Sequence, residues 1–324
     1  MVILDLIEKV GALPAGAMVT VPLQPGEAEL VARWCDHTGN TLVAVEEETA
    51  TVRRGRTPDP IAELPADRRP GARLWLYTNF DCNLACDYCC SRSSPRTPRR
   101  ALGLDRIRRI IAEADGVREV FLTGGEPFLL PDLDQIVQAC TDRFPTTLLT
   151  NGMLMHGRRL GLLRAMPRDR LTLQISLDSP THERHDRHRG PGSWRRAAAG
   201  IQTALGEGFR VRVAATIAAG EEDDAMTFHT YLDHLGISVE DRIVRPAALR
   251  GFADEGVVLT VESLLPEVTI TADGVYWHPV GADHDDQLVT RDIFPFTAAL
   301  AEVRRRFTEH RRHADAAAQT FPCA

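Results

Sequence analysis

The stretch DCNLACDYCC, residues 81–90, carries four of the seven cysteines in the chain. Cys82, Cys86 and Cys89 follow the spacing C-x3-C-x2-C. Three thiolates supply three of the four ligands that a 4Fe–4S cluster needs, so one iron stays open to a further ligand. A zinc site with Cys90 as the fourth ligand is the alternative. We disfavour zinc because the side chains of two adjacent cysteines point in different directions and do not readily bind the same ion.

The cysteine stretch directly follows the first of six apolar runs that alternate with helical patterns. Strands separated by helical crossovers form a parallel sheet that is buried on both faces, and functional groups collect at the carboxyl ends of its strands. We therefore predict an α/β fold of six βα units, in which each strand end is a candidate site. The runs are RLWLYTNF (73–80), REVFLTGG (118–125), TTLLTNG (146–152), LTLQISLDS (171–179), FRVRVAATI (209–217) and DRIVRPAAL (241–249).

The pattern before and after these repeats differs, so we divide the chain into four parts. The first part predicts a small α/β domain of helix, strand, helix and hairpin, and a proline-rich linker follows it. After the repeats, EVTITADGVYWHP predicts a β-hairpin with Asp273 and Gly274 at its turn, followed by a helix and a tail. The predicted boundaries are 1–58 for the small domain, 59–72 for the linker, 73–255 for the repeats and 256–324 for the C-terminal part.

The composition is that of a globular cytoplasmic protein. Apolar residues make up 44% and charged residues 26% of the 324 residues. No run of about 18 apolar residues is present to span a bilayer, and the N-terminus has no basic segment followed by a long apolar block, as an export signal would. The net charge of −7 argues against a general nucleic-acid surface. We therefore expect neither a membrane nor a nucleic acid as a partner.

Four further motifs follow the cysteine stretch in order: TGGEP (123–127), TNG (150–152), SLDS (176–179) and HDRHRGPGSW (185–194). With them, residues 74 to about 250 resemble the radical S-adenosylmethionine (SAM) superfamily, in its MoaA-like and peptide-modifying branches. The signature of that superfamily is C-x3-C-x2-C with an aromatic residue before the last cysteine, here Tyr88. The resemblance implies a partial (β/α)6 TIM barrel of the radical SAM type. It also implies a 4Fe–4S cluster on the three cysteines and SAM as a second cofactor.

In that superfamily the amino and carboxylate groups of SAM chelate the open iron, and one electron cleaves the sulfonium to methionine and a 5′-deoxyadenosyl radical that abstracts hydrogen. The two glycines let a backbone approach the methionine moiety, and the glutamate after them can accept a hydrogen bond from its ammonium. The hydroxyls of Thr150 and Ser176, at strand ends, can donate to the carboxylate or ribose of SAM, and Asp178 can accept from the ribose hydroxyls. An arginine can bind the SAM carboxylate. The implied SAM-binding residues are Tyr88, Gly124, Gly125, Glu126, Thr150, Ser176, Asp178 and Arg189, with Arg195 as the alternative to Arg189.

Other reactive side chains near these motifs are interpreted as structural. His182, His185 and His188 are close in sequence, but they belong to the motif that opens a helix in the superfamily, and that motif needs no metal. Cys90 and Cys140 are interpreted as small, buried, apolar side chains.

Both ends of the chain carry resemblances of their own. Residues 1–58 resemble the TusA-like sulfur-carrier fold, although no cysteine precedes Cys35 and the Cys-Pro of that family is missing. The C-terminal hairpin resembles the start of a SPASM or twitch region, with His278 where a cysteine is expected and only Cys323 downstream. One cysteine cannot hold a second cluster, so we predict a single cluster and a C-terminal part that covers the active site. Cys323 is interpreted as a tail thiol or, alternatively, as a hydrogen donor to a radical.

We expect a cytoplasmic radical SAM enzyme that abstracts hydrogen from a small molecule of specialised metabolism, with flavodoxin or ferredoxin as electron donor. One alternative is sulfur insertion, in which a sulfur-donor protein would load the N-terminal domain. Another is modification of a peptide or protein, with the N-terminal domain as a docking module that adds a strand to its sheet. A non-catalytic iron–sulfur scaffold is the last alternative, which the intact SAM motifs disfavour.

Overall fold

The chain folds into two compact units, each with its own sheet. In the computed structural model, residues 2–56, 59–218 and 225–320 are described. The N-terminal unit comprises Met1–Arg69 with Arg304–Ala324, and the core unit comprises Pro70–Val303. The division after Arg69 lies inside the predicted linker, and the functional roles given to the four predicted parts stay predictions.

The N-terminal unit has the predicted order of helix, strand, helix and hairpin. Its elements are α1 (Val2–Gly11), β1 (Met18–Pro22), α2 (Glu27–Thr38), β2 (Thr41–Glu46) and β3 (Thr49–Arg53). The three strands form an antiparallel sheet in the order β1-β3-β2, so β2 lies at an edge. Leu6, Val31 and Val52 are fully buried in one small core, because both helices place an apolar face on this sheet. The resemblance to the TusA-like fold stays a prediction.

The core unit contains the six predicted strands with helices in the five crossovers between them, but no helix follows the sixth strand over the described residues 247–268, so the sixth predicted βα unit lacks its helix. Its first six strands pair in parallel, each with the next along the chain, which confirms the predicted parallel sheet and agrees with a partial TIM barrel. They are β4 (Arg73–Tyr77), β5 (Glu119–Thr123), β6 (Thr146–Thr150), β7 (Leu171–Ser176), β8 (Arg210–Ile217) and β9 (Arg242–Pro246). The intervening helices are α3 (Leu104–Glu113), α4 (Leu133–Thr141), α5 (Arg158–Ala165), α6 (His182–Arg189), α7 (Ser193–Gly206) and α8 (Ala225–His234).

Both faces of this sheet are covered, as the near-continuous apolar runs predict. In β4, Leu74 and Leu76 are fully buried on one face, while Trp75 on the other face stacks on Phe121 of β5 with ring centroids 4.2 Å apart. A strand that is apolar on both faces cannot sit at a solvated surface, so one face packs against the helices and the other against side chains in the interior of the partial barrel. The polar residues at the carboxyl ends of the strands are thereby brought to one edge.

The C-terminal hairpin extends the sheet beside β4. Strands β10 (Thr269–Thr271), β11 (Gly274–Tyr276) and β12 (Leu288–Thr290) follow, and α9 (Phe296–Thr320) comes after them. Strand β10 pairs in parallel with β4, so the otherwise unpaired edge of β4 is satisfied. Thr271 pairs with Gly274, so the turn is Ala272–Asp273, one residue earlier than predicted. Among the residues described here, no helix combines the length and the apolar character needed to cross a membrane.

Candidate functional site

A cavity of about 390 Å³ lies at the carboxyl ends of the core strands. Its wall includes residues that end or follow β5, β6, β7 and β9, and it also includes Cys82, Cys86 and Cys89 of the cysteine loop. The three predicted cluster ligands therefore share one cavity with the strand-end motifs. This is the position at which parallel α/β sheets bind ligands.

The cysteine loop is held by its own backbone amides. The Leu84 amide donates to the Cys82 sulfur (3.4 Å) and the Ser93 amide donates to the Cys89 sulfur (3.4 Å). Burial raises the pKa of Cys82 to about 12 and that of Cys86 to about 11. These thiols are thus protonated at neutral pH until a metal displaces the proton.

The donor set fits a 4Fe–4S cluster. Three soft sulfur ligands on one loop face one cavity, and a cubane takes each protein ligand on a separate iron. In the described parts of the chain, no three His, Cys, Asp or Glu side chains are gathered closely enough to hold a single metal ion.

Gly124 and Gly125 join the cysteine loop to the sheet. The Gly125 amide donates to the Asn79 carbonyl (2.9 Å), and the next amide donates to the Asp81 carbonyl (3.0 Å). A Cβ at Gly124 would lie 2.3 Å from the Asn79 oxygen, and one at Gly125 would lie 2.2 Å from the Asp81 oxygen. Gly124 also has φ +146°, a backbone conformation that other residues rarely adopt. These glycines therefore have a packing role, and they line the cavity as well.

Glu126 lies behind the cavity wall and is fully buried. Its carboxylate accepts hydrogen bonds from the Phe128 amide (3.0 Å), the Thr150 hydroxyl (2.7 Å) and the Asn151 amide (2.8 Å). Burial raises the pKa of Glu126, and these three donors act in the opposite direction. The carboxylate thus ties the end of β5 to the end of β6 and already has protein partners. Its predicted contact with the SAM ammonium stays a prediction.

Asp178 is also occupied by protein donors. It accepts two hydrogen bonds from the Arg189 guanidinium (2.6 and 3.1 Å), one from the Thr216 amide (3.0 Å) and one from the Tyr88 hydroxyl. Burial opposes ionisation of Asp178, but the charge and hydrogen bonds of Arg189 outweigh it, so the pKa of Asp178 is lowered. The pair connects β7, α6 and β8 to the cysteine loop. Asp178 is set behind the wall, whereas its partners Arg189 and Tyr88 line the cavity.

Six of the eight predicted SAM residues line the cavity: Tyr88, Gly124, Gly125, Thr150, Ser176 and Arg189. Between the two alternative arginines, Arg189 lies in the wall and is 9% exposed, while Arg195 is exposed on α7. No described residue forms a hydrogen bond with the Ser176 hydroxyl, which leaves it available to a ligand. The Thr150 hydroxyl already donates to Glu126.

Residues 76–235 match the radical SAM superfamily. This part of the chain is a radical SAM domain. The radical SAM family uses a 4Fe–4S cluster and SAM, in agreement with the sulfur ligands and the shared cavity described above.

Relatives of this domain are enzymes of different pathways. The chain is 33% identical over 140 residues to the AdoMet-dependent heme synthase of Methanosarcina barkeri, which covers 42% of this chain and 40% of that protein. It is 36% identical over 153 residues to the antilisterial bacteriocin subtilosin biosynthesis protein AlbA of Bacillus subtilis, covering 44% and 33%. The chain thus spans less than half the length of these curated relatives.

The fold of the radical SAM domain recurs in solved structures. Native anSMEcpe with bound AdoMet and Cp18Cys peptide superposes with a TM-score of 0.56 at 13% identity, covering 72% of this chain and 81% of that chain. This likeness shows the shared α/β fold with a partial barrel.

The three neighbouring histidines of the radical SAM domain have separate environments. His185 is buried and accepts a hydrogen bond from the Asp178 amide (3.2 Å), and burial lowers its pKa to about 4. His188 contacts the Asp87 carboxylate at 2.9 Å, and His182 is exposed beside Glu183. Each thus has a protein neighbour of its own, as expected for residues that shape a helix start.

Two cavity residues were missed by the sequence analysis. Cys90 was interpreted as a small buried side chain, but it lines the cavity beside the cluster ligands, whereas Cys140 is buried on α4 as predicted. Arg245, at the end of β9, also lines the cavity. Ser176 was selected because it is a polar residue at the carboxyl end of a strand, and the same criterion applies to Arg245. Cys323, the candidate hydrogen donor, lies outside the described residues.

The ion pair between Asp178 and Arg189 should stabilise the folded domain. We expect Asp178→Asn to lower the free energy of unfolding by about 3–5 kcal/mol, because it leaves the buried Arg189 charge without its partner. Urea denaturation measures this change. The control is Asp87→Asn, which removes an exposed carboxylate next to His188 and should cost less than about 1 kcal/mol. Equal stability of the two variants would contradict the assignment.

The buried His185 should make stability depend on pH. Its pKa is about 4 when folded against an ordinary value of 6.5, so the unfolded chain binds the proton more readily between these values. The free energy of unfolding should therefore fall by up to about 3 kcal/mol as pH drops from 6.5 to 4. His185→Asn, which keeps an acceptor, should flatten that slope in denaturation curves recorded across this range. The exposed-site variant His182→Asn should keep the wild-type slope; a slope unchanged in both would disprove the role of His185.

Proposed function

We propose that this chain is a radical SAM enzyme that cleaves SAM reductively at a 4Fe–4S cluster and abstracts hydrogen from a small-molecule substrate. The observation that carries the proposal is the single cavity that joins Cys82, Cys86 and Cys89 to the strand-end motifs. When bound, the cluster and SAM supply a 5′-deoxyadenosyl radical.

The residues of this chain would act by holding and orienting these groups. The three cysteines would bind three irons. The free Ser176 hydroxyl and the Arg189 guanidinium, which is oriented by its two bonds to Asp178, offer donors for the SAM carboxylate. Gly124 and Gly125 expose backbone at the opposite wall. Glu126 and Asp178 would act from behind the cavity wall, because they hold in place the strand ends that carry these groups.

A small-molecule substrate is supported by the character of the rest of the cavity. Val257, Leu259 and Val280 from the C-terminal part contribute apolar side chains to the wall, as is common in pockets for small molecules. One curated relative is named a heme synthase. Radical SAM enzymes take electrons from a reductant, and we propose flavodoxin or ferredoxin in the cytoplasm for this role.

The proposed activity can be tested on anaerobically reconstituted protein. We expect about four irons per chain, because three cysteines and SAM complete one cubane, and 5′-deoxyadenosine when SAM and dithionite are added. Cys86→Ala should lose the cluster absorbance and the 5′-deoxyadenosine, whereas Cys140→Ala, a buried cysteine away from the cavity, should keep both. Iron near eight per chain would contradict the single cluster, and full activity with zinc in place of iron would refute the proposal.

A second candidate function is the modification of a peptide. The observation that favours it is an edge of the N-terminal sheet: among the strands of the described residues, β2 pairs only with β3, and Val43 and Val45 are 46% and 48% exposed on it. An extended peptide can add to such an edge by main-chain hydrogen bonds. A peptide is also bound in the anSMEcpe structure.

Peptide docking at β2 predicts a defect confined to one class of substrate. With a peptide substrate, Val45→Lys should lower kcat/KM about tenfold, because it places a charge on the docking edge, while SAM cleavage without peptide stays unchanged. Leu4→Lys, at a 72% exposed position on α1, is the matched control and should have no effect. Equal kinetics of all three proteins would exclude docking at this edge.

Sulfur insertion through the N-terminal unit is the least supported alternative. Cys35 is buried in α2, and burial raises its pKa to about 11. Thiolates carry out persulfide chemistry, and a buried protonated thiol is a poor nucleophile. A structural role for Cys35 therefore accounts for its position. Cys35→Ser should leave any sulfur content of the product unchanged.

A further inference from the structure

We propose that Arg245 binds a carboxylate of the substrate, so that the substrate of this enzyme is an apolar molecule with one carboxylate group. This inference rests on the proposed radical SAM function and assigns the class of molecule that occupies the rest of the cavity. Arg245 is the fourth residue of β9 and pairs in register with Thr216 of β8. Both residues line the cavity.

The charge balance of the cavity singles out Arg245. Its wall contains two arginines, and Arg189 is already neutralised by its two hydrogen bonds to Asp178. Within residues 2–56, 59–218 and 225–320, by contrast, no group forms a hydrogen bond or an ion pair with Arg245. A guanidinium offers a planar fork of donors that matches a carboxylate. One uncompensated positive charge is therefore presented to whatever enters.

The ionisable side chains near Arg245 do not provide a negative charge that pairs with its guanidinium. Its charge acts on His278, whose pKa is lowered to about 4, first by burial and then by Arg73 and Arg245, so this ring is neutral at pH 7. Asp283, which like Arg245 acts on Cys90, is paired with Arg92 at 2.8 Å and is not part of the wall. Arg245 is solvent-exposed, and a carboxylate on a bound ligand could pair with it.

Apolar side chains predominate among the cavity residues that follow Arg245 in the chain, although Thr216, its partner on β8, is polar. Pro246, Ala248, Val257, Leu259 and Val280 line the same part of the wall. The segment that carries them is fixed: the Val257 amide donates to the Ala247 carbonyl (2.8 Å), and the Leu249 amide donates to the Val257 carbonyl (2.9 Å). An apolar wall with one cation selects a ligand that has an apolar body and a single anionic end.

SAM also has a carboxylate, so binding of a substrate carboxylate by Arg245 must be distinguished from binding of the SAM carboxylate. Arg189 and the free Ser176 hydroxyl lie on the α6 and β7 side, close to the cysteine loop through Tyr88. Arg245 lies on β9, at the end of the parallel series and beside the apolar segment. We assign the first pair to SAM and Arg245 to the substrate. The two assignments predict different variants to be defective.

The test compares benzoate with benzamide, two probes of equal shape and different charge, by ligand-observed NMR. The full chain is used both as purified and after reconstitution with iron, sulfide and saturating SAM. Wild-type protein should bind benzoate at least tenfold more tightly than benzamide, and Arg245→Gln should abolish that preference. Arg195→Gln, which removes an exposed arginine outside the cavity, should keep it. SAM affinity should be unchanged in Arg245→Gln.

Three results would overturn the inference. They are equal binding of the two probes to wild-type protein, a benzoate preference that survives in Arg245→Gln, and a tenfold loss of SAM affinity in that variant, which would assign Arg245 to the cofactor. Failure of the wild-type protein to assemble a cluster or to cleave SAM would instead refute the proposed function. The probe comparison on the protein as purified distinguishes these cases.

Discussion

The cysteine loop reaches its position through a backbone contact that only glycine allows. Gly124 and Gly125 lie against the Asn79–Asp81 segment so closely that a Cβ atom at either position would approach a carbonyl oxygen to less than 2.5 Å. Two amides of the turn donate to carbonyls of that segment across the contact. The start of the loop is thus fixed to the end of β5, and the three thiols can face the same cavity as the strand ends. A side chain here would push the loop away from the sheet.

Two buried carboxylates complete this arrangement from behind. Burying a charged group is costly unless hydrogen bonds or an opposite charge compensate it, and both carboxylates are compensated by donors from neighbouring strands. Glu126 gathers the ends of β5 and β6, and Asp178 gathers β7, β8, α6 and the cysteine loop through Arg189 and Tyr88. The carboxylates orient groups that line the cavity. This supporting role accounts for two acidic residues that lie behind the wall although their motifs also contain cavity-lining residues.

Sequence patterns predicted the fold and the ligand-bearing loop, because both depend on local features. Apolar runs alternating with helices specify parallel strands, and cysteine spacing specifies three ligands on one loop. The roles of Glu126 and Asp178 could not be predicted in the same way, because most of the donors that occupy them come from other elements, up to 90 positions away in the chain. Arg245 belongs to no motif. Its role could be inferred only from the fold, which pairs the nearby carboxylates with other arginines. The edge of β2 likewise became visible only once the strand order was known.

The two sides of the cavity differ in the types of side chain that line them. The side formed by the cysteine loop and the ends of β5, β6 and β7 contains cysteines, glycines, hydroxyls and an arginine paired with Asp178, together with a few apolar side chains. The side formed by β9 and the segment after it consists of apolar side chains and one uncompensated arginine. Because these sides belong to different strands, the second can change without disturbing the glycine contact or the buried carboxylates. We therefore expect substrate selectivity in this domain to reside in β9 and the residues that follow it, where Arg245 is proposed to select ligands by charge.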